Sequence, residues 1–110
     1  MTFDKKSFKD LNAMTEMIAQ RYFLARRLHQ LKSEQSLGEN EYCGEGSYRI
    51  YLFKVLNAFE SLNDKEKILI NSEFFFQNYE DWWKPIYTKA SFYRYKKQAM
   101  LSFLGAFYNG

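Results

Sequence analysis

Residues 82–110 carry Lys84, Lys89, Arg94, Lys96 and Lys97 and no acid, a local charge of +5. Residues 1–81 hold 11 basic and 13 acidic residues, a local −2, so the net +3 is gathered at one end of the chain. Such a concentration is where a polyanion binds. A fork of Arg N–H groups can read guanine, and Lys and Ser can hold phosphate. Lys84, Lys89, Ser91, Tyr93, Arg94 and Lys97 are therefore the candidate contacts to nucleic acid. The competing use of the same residues is a solvated basic helix face.

Other chemistry finds little to stand on. His29 and Cys43 are the only residues of their kinds, and structural zinc needs four ligands. The carboxylates have no spacing that suggests paired acid–base work, and no glycine loop could cradle phosphate, since Gly44-Glu45-Gly46 reads as a turn. No enzyme, metal or cofactor is expected. One cysteine allows no internal disulfide, which fits a reducing compartment. The start, Met-Thr-Phe-Asp-Lys-Lys, does not resemble a secretory signal. No segment approaches the ~20 apolar residues of a membrane helix. A cytoplasmic protein with no membrane association is expected.

The elements that would position the basic residues are helical. The 110 residues are 46% apolar and 20% aromatic, enough to offset chain entropy, and hold five Gly with Pro85 as the single proline. Spacings of three and four predict a long amphipathic helix over 5–35, with Met14, Met17, Ile18, Leu24, Ala25, Leu28 and Leu31 as its stripe. The three Gly and three Glu of 36–46 predict a mobile surface loop. Ser47 is the expected cap of a second helix, with Tyr48, Leu52, Val55, Leu56, Phe59 and Leu62 on its apolar face. Asn63 with Glu66 makes a capping box for a third helix, buried through Ile68, Leu69, Phe75 and Phe76. A short helix is expected over 79–87, with Pro85 awkward inside it. Thr88 caps a last helix, Lys89 to about Phe107, facing inward through Phe92, Tyr95, Ala99 and Phe103. The expected core joins Ile68, Phe75, Trp82, Ile86, Phe92, Ala99 and Phe103, with no sheet and five helices.

The stretch Thr-Lys-Ala-Ser-Phe-Tyr-Arg-Tyr-Lys-Lys-Gln-Ala, 88–99, resembles the recognition helix of the fourth region of bacterial sigma factors. It is similar in more detail to phage late-operon activators of the ArpU and RinA type. Leu62-Asn63-Asp64-Lys65-Glu66-Lys67-Ile68-Leu69 resembles the helix that opens such a domain, and Trp82 and Ile86 stand where these families place the anchors of the brace helix. A group of sigma-like mollicute proteins shares the Trp-Trp and Tyr-Arg features. The specific likeness covers about 62–104. Pro85 in the brace, and Thr88-Lys89 in place of a looser turn, depart from the pattern.

The resemblance implies an all-α fold: a long N-terminal helix, a second helix, then a three-helix helix-turn-helix domain of sigma region 4 type. Residues 1–46 would be the helix and loop, and 47–110 the helical domain, with the helix-turn-helix at about 64–107. It also implies that Thr88 caps, that Phe92, Tyr95, Ala99 and Phe103 pack, and that Lys89, Ser91, Tyr93, Arg94 and Lys97 face DNA. No region for promoter melting is recognisable. The expected function is a transcriptional regulator whose recognition helix, about 89–105, enters the major groove of double-stranded DNA. The alternative is a helical adaptor, for example on RNA polymerase, that uses an aromatic surface of Trp83, Phe74 and Tyr87. The stripe of the first helix is core, or else the seam of a homodimer.

Overall fold

Ser7 relieves the open backbone donors at the start of the first helix, its Oγ accepting from the Asp10 N–H at 3.1 Å. Helix α1 then runs Phe8–Gln35, α2 Glu45–Glu60, α3 Asp64–Ile70 and α4 Lys89–Asn109, with a π-helical turn, Asn71–Phe75, directly after α3. The structure is a computed structural model. It describes residues 5–35, 45–76 and 79–109, and of 32–35 and 45–47 the backbone alone. Among the described residues there is no strand, and no helix is long and apolar enough to cross a membrane.

Local chemistry sets the boundaries of α3 and α4. The expected capping box is present. Asn63 Oδ1 accepts from the Glu66 N–H at 2.9 Å, and Glu66 Oε1 accepts from the Asn63 N–H at 3.1 Å. Thr88 Oγ1 accepts from the Ser91 N–H at 3.2 Å and so opens α4. Ser47 does not cap α2, because that helix already includes Glu45 and Gly46. The loop expected at 36–46 lies outside the described residues up to position 44, and Cys43 with it.

The buried faces match the expected ones in part: Ile18, Ala25, Val55, Leu62 and Leu69 are inside as expected. In α1, Leu11, Thr15, Ile18, Ala19 and Ala25 are buried, whereas Met17, Leu24 and Leu31 are exposed. The buried stripe shares Ile18 and Ala25 with the expected one, but is completed by Leu11, Thr15 and Ala19 where Met17, Leu24 and Leu31 were expected. The Thr15 hydroxyl donates to the Leu11 carbonyl at 2.8 Å, so it enters the core without an unmet polar group. In α2, Val55 and Ala58 are buried, as is Leu62 just beyond its end, while Leu56 is exposed. In α3 the buried arc is Leu69 and Ile70; Ile68 and Phe76 are exposed. The π-helical turn, closed by Phe76 N–H to Asn71 C=O at 2.9 Å, explains part of this. With the wider turn Phe75 meets the rings of Tyr22, Phe59 and Phe103, while Phe76 is left exposed.

The segment 79–87 is not a helix. It is a run of turns closed by bonds from Trp82 N–H to Tyr79 C=O, Lys84 N–H to Asp81 C=O and Ile86 N–H to Trp83 C=O, at 2.9–3.2 Å. Pro85 has no N–H to give to Asp81 C=O, and its ring opposes that carbonyl in a helix. Ile86, expected as an anchor, is 65% exposed. The two tryptophans fix the segment instead. Trp83 stacks on Phe92 with centroids 4.3 Å apart, and Trp82 meets the same ring edge-on at 6.2 Å.

Helix α4 is the element on which the others assemble, packing against α1, α2 and α3. Phe92, Ala99, Met100, Phe103, Leu104 and Phe107 are buried along it. Tyr95, expected inside, is exposed, and Lys96 takes the inward position. α1 adds Leu11, Ile18 and Ala19 to the same buried cluster.

Candidate nucleic-acid interface

The first two turns of α4 present the sequence-predicted residues on a surface with different degrees of freedom. Lys89 and Arg94 are exposed, and Lys97 and Ser91 are half-buried. Arg94 lies over the Tyr95 ring, 5.3 Å from guanidinium to centroid, and makes no ion pair with Glu80 or Asp81. Ser91 has its N–H committed to the Thr88 cap. Tyr93 is exposed at its rim while its ring meets Phe8 of α1 edge-on at 5.3 Å. Lys84 is exposed but sits 3.4 Å from Asp81 Oδ2 in an i,i+3 pair. Its charge is thus partly answered within the turn segment.

Lys96 leaves the cluster altogether. Its Nζ donates to Glu73 Oε1 at 2.7 Å, and Trp82 Nε1 donates to Glu73 Oε2, also at 2.7 Å. The rings of Phe8, Phe74 and Phe92 lie 5.2–5.9 Å from the same ammonium. This cation holds the π-helical turn, the tryptophan segment and α4 together.

Three cations that sequence reasoning missed replace it. The Phe8–Tyr93 contact sets the beginning of α1 beside the beginning of α4. Lys5, Lys6 and Lys9 flank Phe8 in the chain and are all exposed. The contact thus brings the chain segment that carries these lysines to the first turns of α4. A lysine run around an aromatic residue was visible in sequence, but Asp4 and Asp10 cancel most of its local charge, and only the fold brings it to α4. Among the described residues no group of three or more His, Cys, Asp or Glu could hold a metal ion.

No protein family, curated protein or solved structure matches the chain. The likeness of residues 62–104 to sigma region 4 rests on those residues alone.

Proposed function

We propose that this chain binds duplex DNA and regulates transcription, with the N-terminal turns of α4 in the major groove and the lysines of α1 on flanking phosphate. The observation that carries this reading is the Phe8–Tyr93 contact, which brings the segment bearing Lys5, Lys6 and Lys9 to the turns that bear Lys89, Arg94 and Lys97. Clustered cations displace condensed counterions, and an exposed helix start bearing Arg and Lys is the geometry of groove reading. In this reading the Tyr79–Tyr87 turns stand where a helix-turn-helix of sigma region 4 type has its brace. Two stacked aromatic residues, Trp83 and Phe92, do the work of helix packing. The adaptor reading required an exposed surface of Trp83, Phe74 and Tyr87. Trp83 and Phe74 are buried and Tyr87 is half-buried.

The test is selection of bound sequences from random duplex DNA, followed by titration of variants against a selected and a scrambled site. Arg94→Ala should cost about 1–3 kcal/mol on the selected site and relax preference at one base pair. Lys97→Ala should weaken both sites alike and reduce the salt slope by about 1. If no sequence is enriched and binding is flat between low and moderate salt, the reading fails.

A further inference from the structure

The outward face of α2 has an order that packing of the helix onto its own chain does not require. Val55 and Ala58 fix which side of α2 is buried. On the opposite side Arg49, Phe53, Leu56 and Glu60 follow at intervals of four, three and four residues, and all are exposed. That interval is the one at which two helices mesh along a seam. The two middle positions are apolar and open to solvent, Phe53 at 60% and Leu56 at 46% exposure, with Ile50 beside them at 69%. The two outer positions have opposite charge. Lys54, the cation next to the middle of the row, is engaged with α4, its Nζ 4.7 Å from the centroid of the Phe107 ring.

Read in either direction, the row is a charge, two apolar side chains and the opposite charge. We infer that the outward face of α2 pairs with the same face of a second copy of this chain, antiparallel, about a two-fold axis between Lys54 and Val55. Each Arg49 then meets Glu60 of the other copy, and each Phe53 meets Leu56 of the other copy. A two-fold interface makes every contact twice, so paired positions must share one midpoint, and 49 with 60 and 53 with 56 do. That shared midpoint identifies the occupant. A parallel copy would set Arg49 on Arg49 and Glu60 on Glu60, and like charges across an interface are disfavoured. A polyanion would meet Glu60 and leave Phe53 and Leu56 with nothing apolar to cover them. Glu60 already has Lys67 of α3 at 3.3 Å, but that pair is in solvent and weak, and a carboxylate has room for a second donor. One pair of 16-residue helices makes a small interface, so the dimer forms and dissociates with concentration. The start of α4 takes no part in this pairing, which stands apart from DNA binding.

Analytical ultracentrifugation of the full chain should show monomer at low concentration and dimer as concentration rises. Phe53→Asp should abolish the dimer. Arg49→Glu and Glu60→Arg should each weaken it about tenfold, because each puts like charges where opposite ones met. Arg49→Glu combined with Glu60→Arg should restore the dimer, since the same contacts re-form with their members exchanged. All these side chains are exposed, and circular dichroism should confirm that the variants fold. Leu24→Asp, on the exposed side of α1, should leave dimerisation unchanged. Three results would overturn the inference. One is a monomer at every concentration, which would leave the face to a different protein. The second is a dimer that survives Phe53→Asp or is lost in Leu24→Asp, which would move the interface off α2. The last is a double charge variant no tighter than the weaker single one, which would exclude the antiparallel register.

Discussion

Lys96 is a basic residue of α4 that the fold takes inside, and its surroundings determine what its removal should do. Its side chain is 12% exposed and Glu73's 17%, so the pair is poorly solvated. An ion pair in such a place contributes little net stability, yet breaking one side of it leaves a charge without a partner. Glu73→Gln should therefore destabilise the fold by about 3 kcal/mol in urea unfolding. Adding Lys96→Met to Glu73→Gln should recover a substantial part of that loss, because no unpaired ammonium then remains. If the double variant is as unstable as the sum of the singles, the two side chains are not coupled. Tyr51 supplies a pH dependence. Burial holds its phenol above the ordinary value of 10.0; Arg21 opposes the shift and Tyr108 reinforces it. The hydroxyl also donates to the Ile18 carbonyl at 3.2 Å. Above the ordinary value the unfolded chain gives up this proton while the folded chain keeps it, so folding binds the extra proton. The contribution of Tyr51 is complete below that pH and is lost as pH rises through the raised value. Tyr51→Phe should flatten this part of the alkaline decline in stability, measured by urea unfolding at stepped pH.

Elements here begin where a side chain satisfies the first backbone donors. Asn63 does this for α3 and Thr88 for α4, and each cap lies within one turn of the group it serves. Asn63→Ala and Thr88→Ala should each cost about 1 kcal/mol. Asn63 has the better-formed site, and its partner Glu66 has a second task. Glu66 Oε2 accepts from the Ser102 hydroxyl at 2.9 Å, so the capping carboxylate also ties α3 to α4. Asn63→Ala should consequently exceed Thr88→Ala in denaturant unfolding; equal losses would mean that Glu66 holds its place without the cap. The π-helical turn and the non-helical 79–87 segment show the opposite behaviour. Neither has a local signal beyond Pro85. The wide turn at Asn71–Phe75 brings Phe75 to Tyr22, Phe59 and Phe103 at centroid separations of 5.5, 6.3 and 6.1 Å. Those three rings belong to three other helices. The energy that favours an i→i+5 turn comes from packing that the segment itself does not contain.

At the scale of the whole molecule, an extended body of 53 × 32 × 22 Å follows from α1, whose 28 residues span about 42 Å. Its start meets the start of α4 through Phe8 and Tyr93, and its middle packs on α2. With Arg94 on a base, Lys89 and Lys97 alone would give a log–log salt slope for DNA binding of about −1.8, and five lysines on phosphate about −4.5. The wild-type chain should lie near the larger value, and Lys5→Gln, Lys6→Gln and Lys9→Gln together should bring it near the smaller. A slope that does not change in the triple variant would place DNA on α4 without α1.

The all-helical class, the capping box, the Thr88 cap and the charge polarisation of the chain were legible in sequence. Each depends on residues within a turn of one another or on simple counting. Which residues complete the buried stripe of α1 around Ile18 and Ala25 was not legible, because more than one set shares the helical period. The choice fell to the one whose polar atoms could be satisfied inside and whose shape fits α2 and α4. The same holds for Lys96. Its type and spacing matched its neighbours on a basic face, and only Glu73, placed by the π-helical turn, drew it inward. Lys5, Lys6 and Lys9 became part of the candidate interface through a contact between Phe8 and Tyr93, near opposite ends of the chain. Local bonding determines where a helix starts and stops. What lies across from it is decided by packing among distant segments, where desolvation, ring contacts and charge pairing must all be met at once.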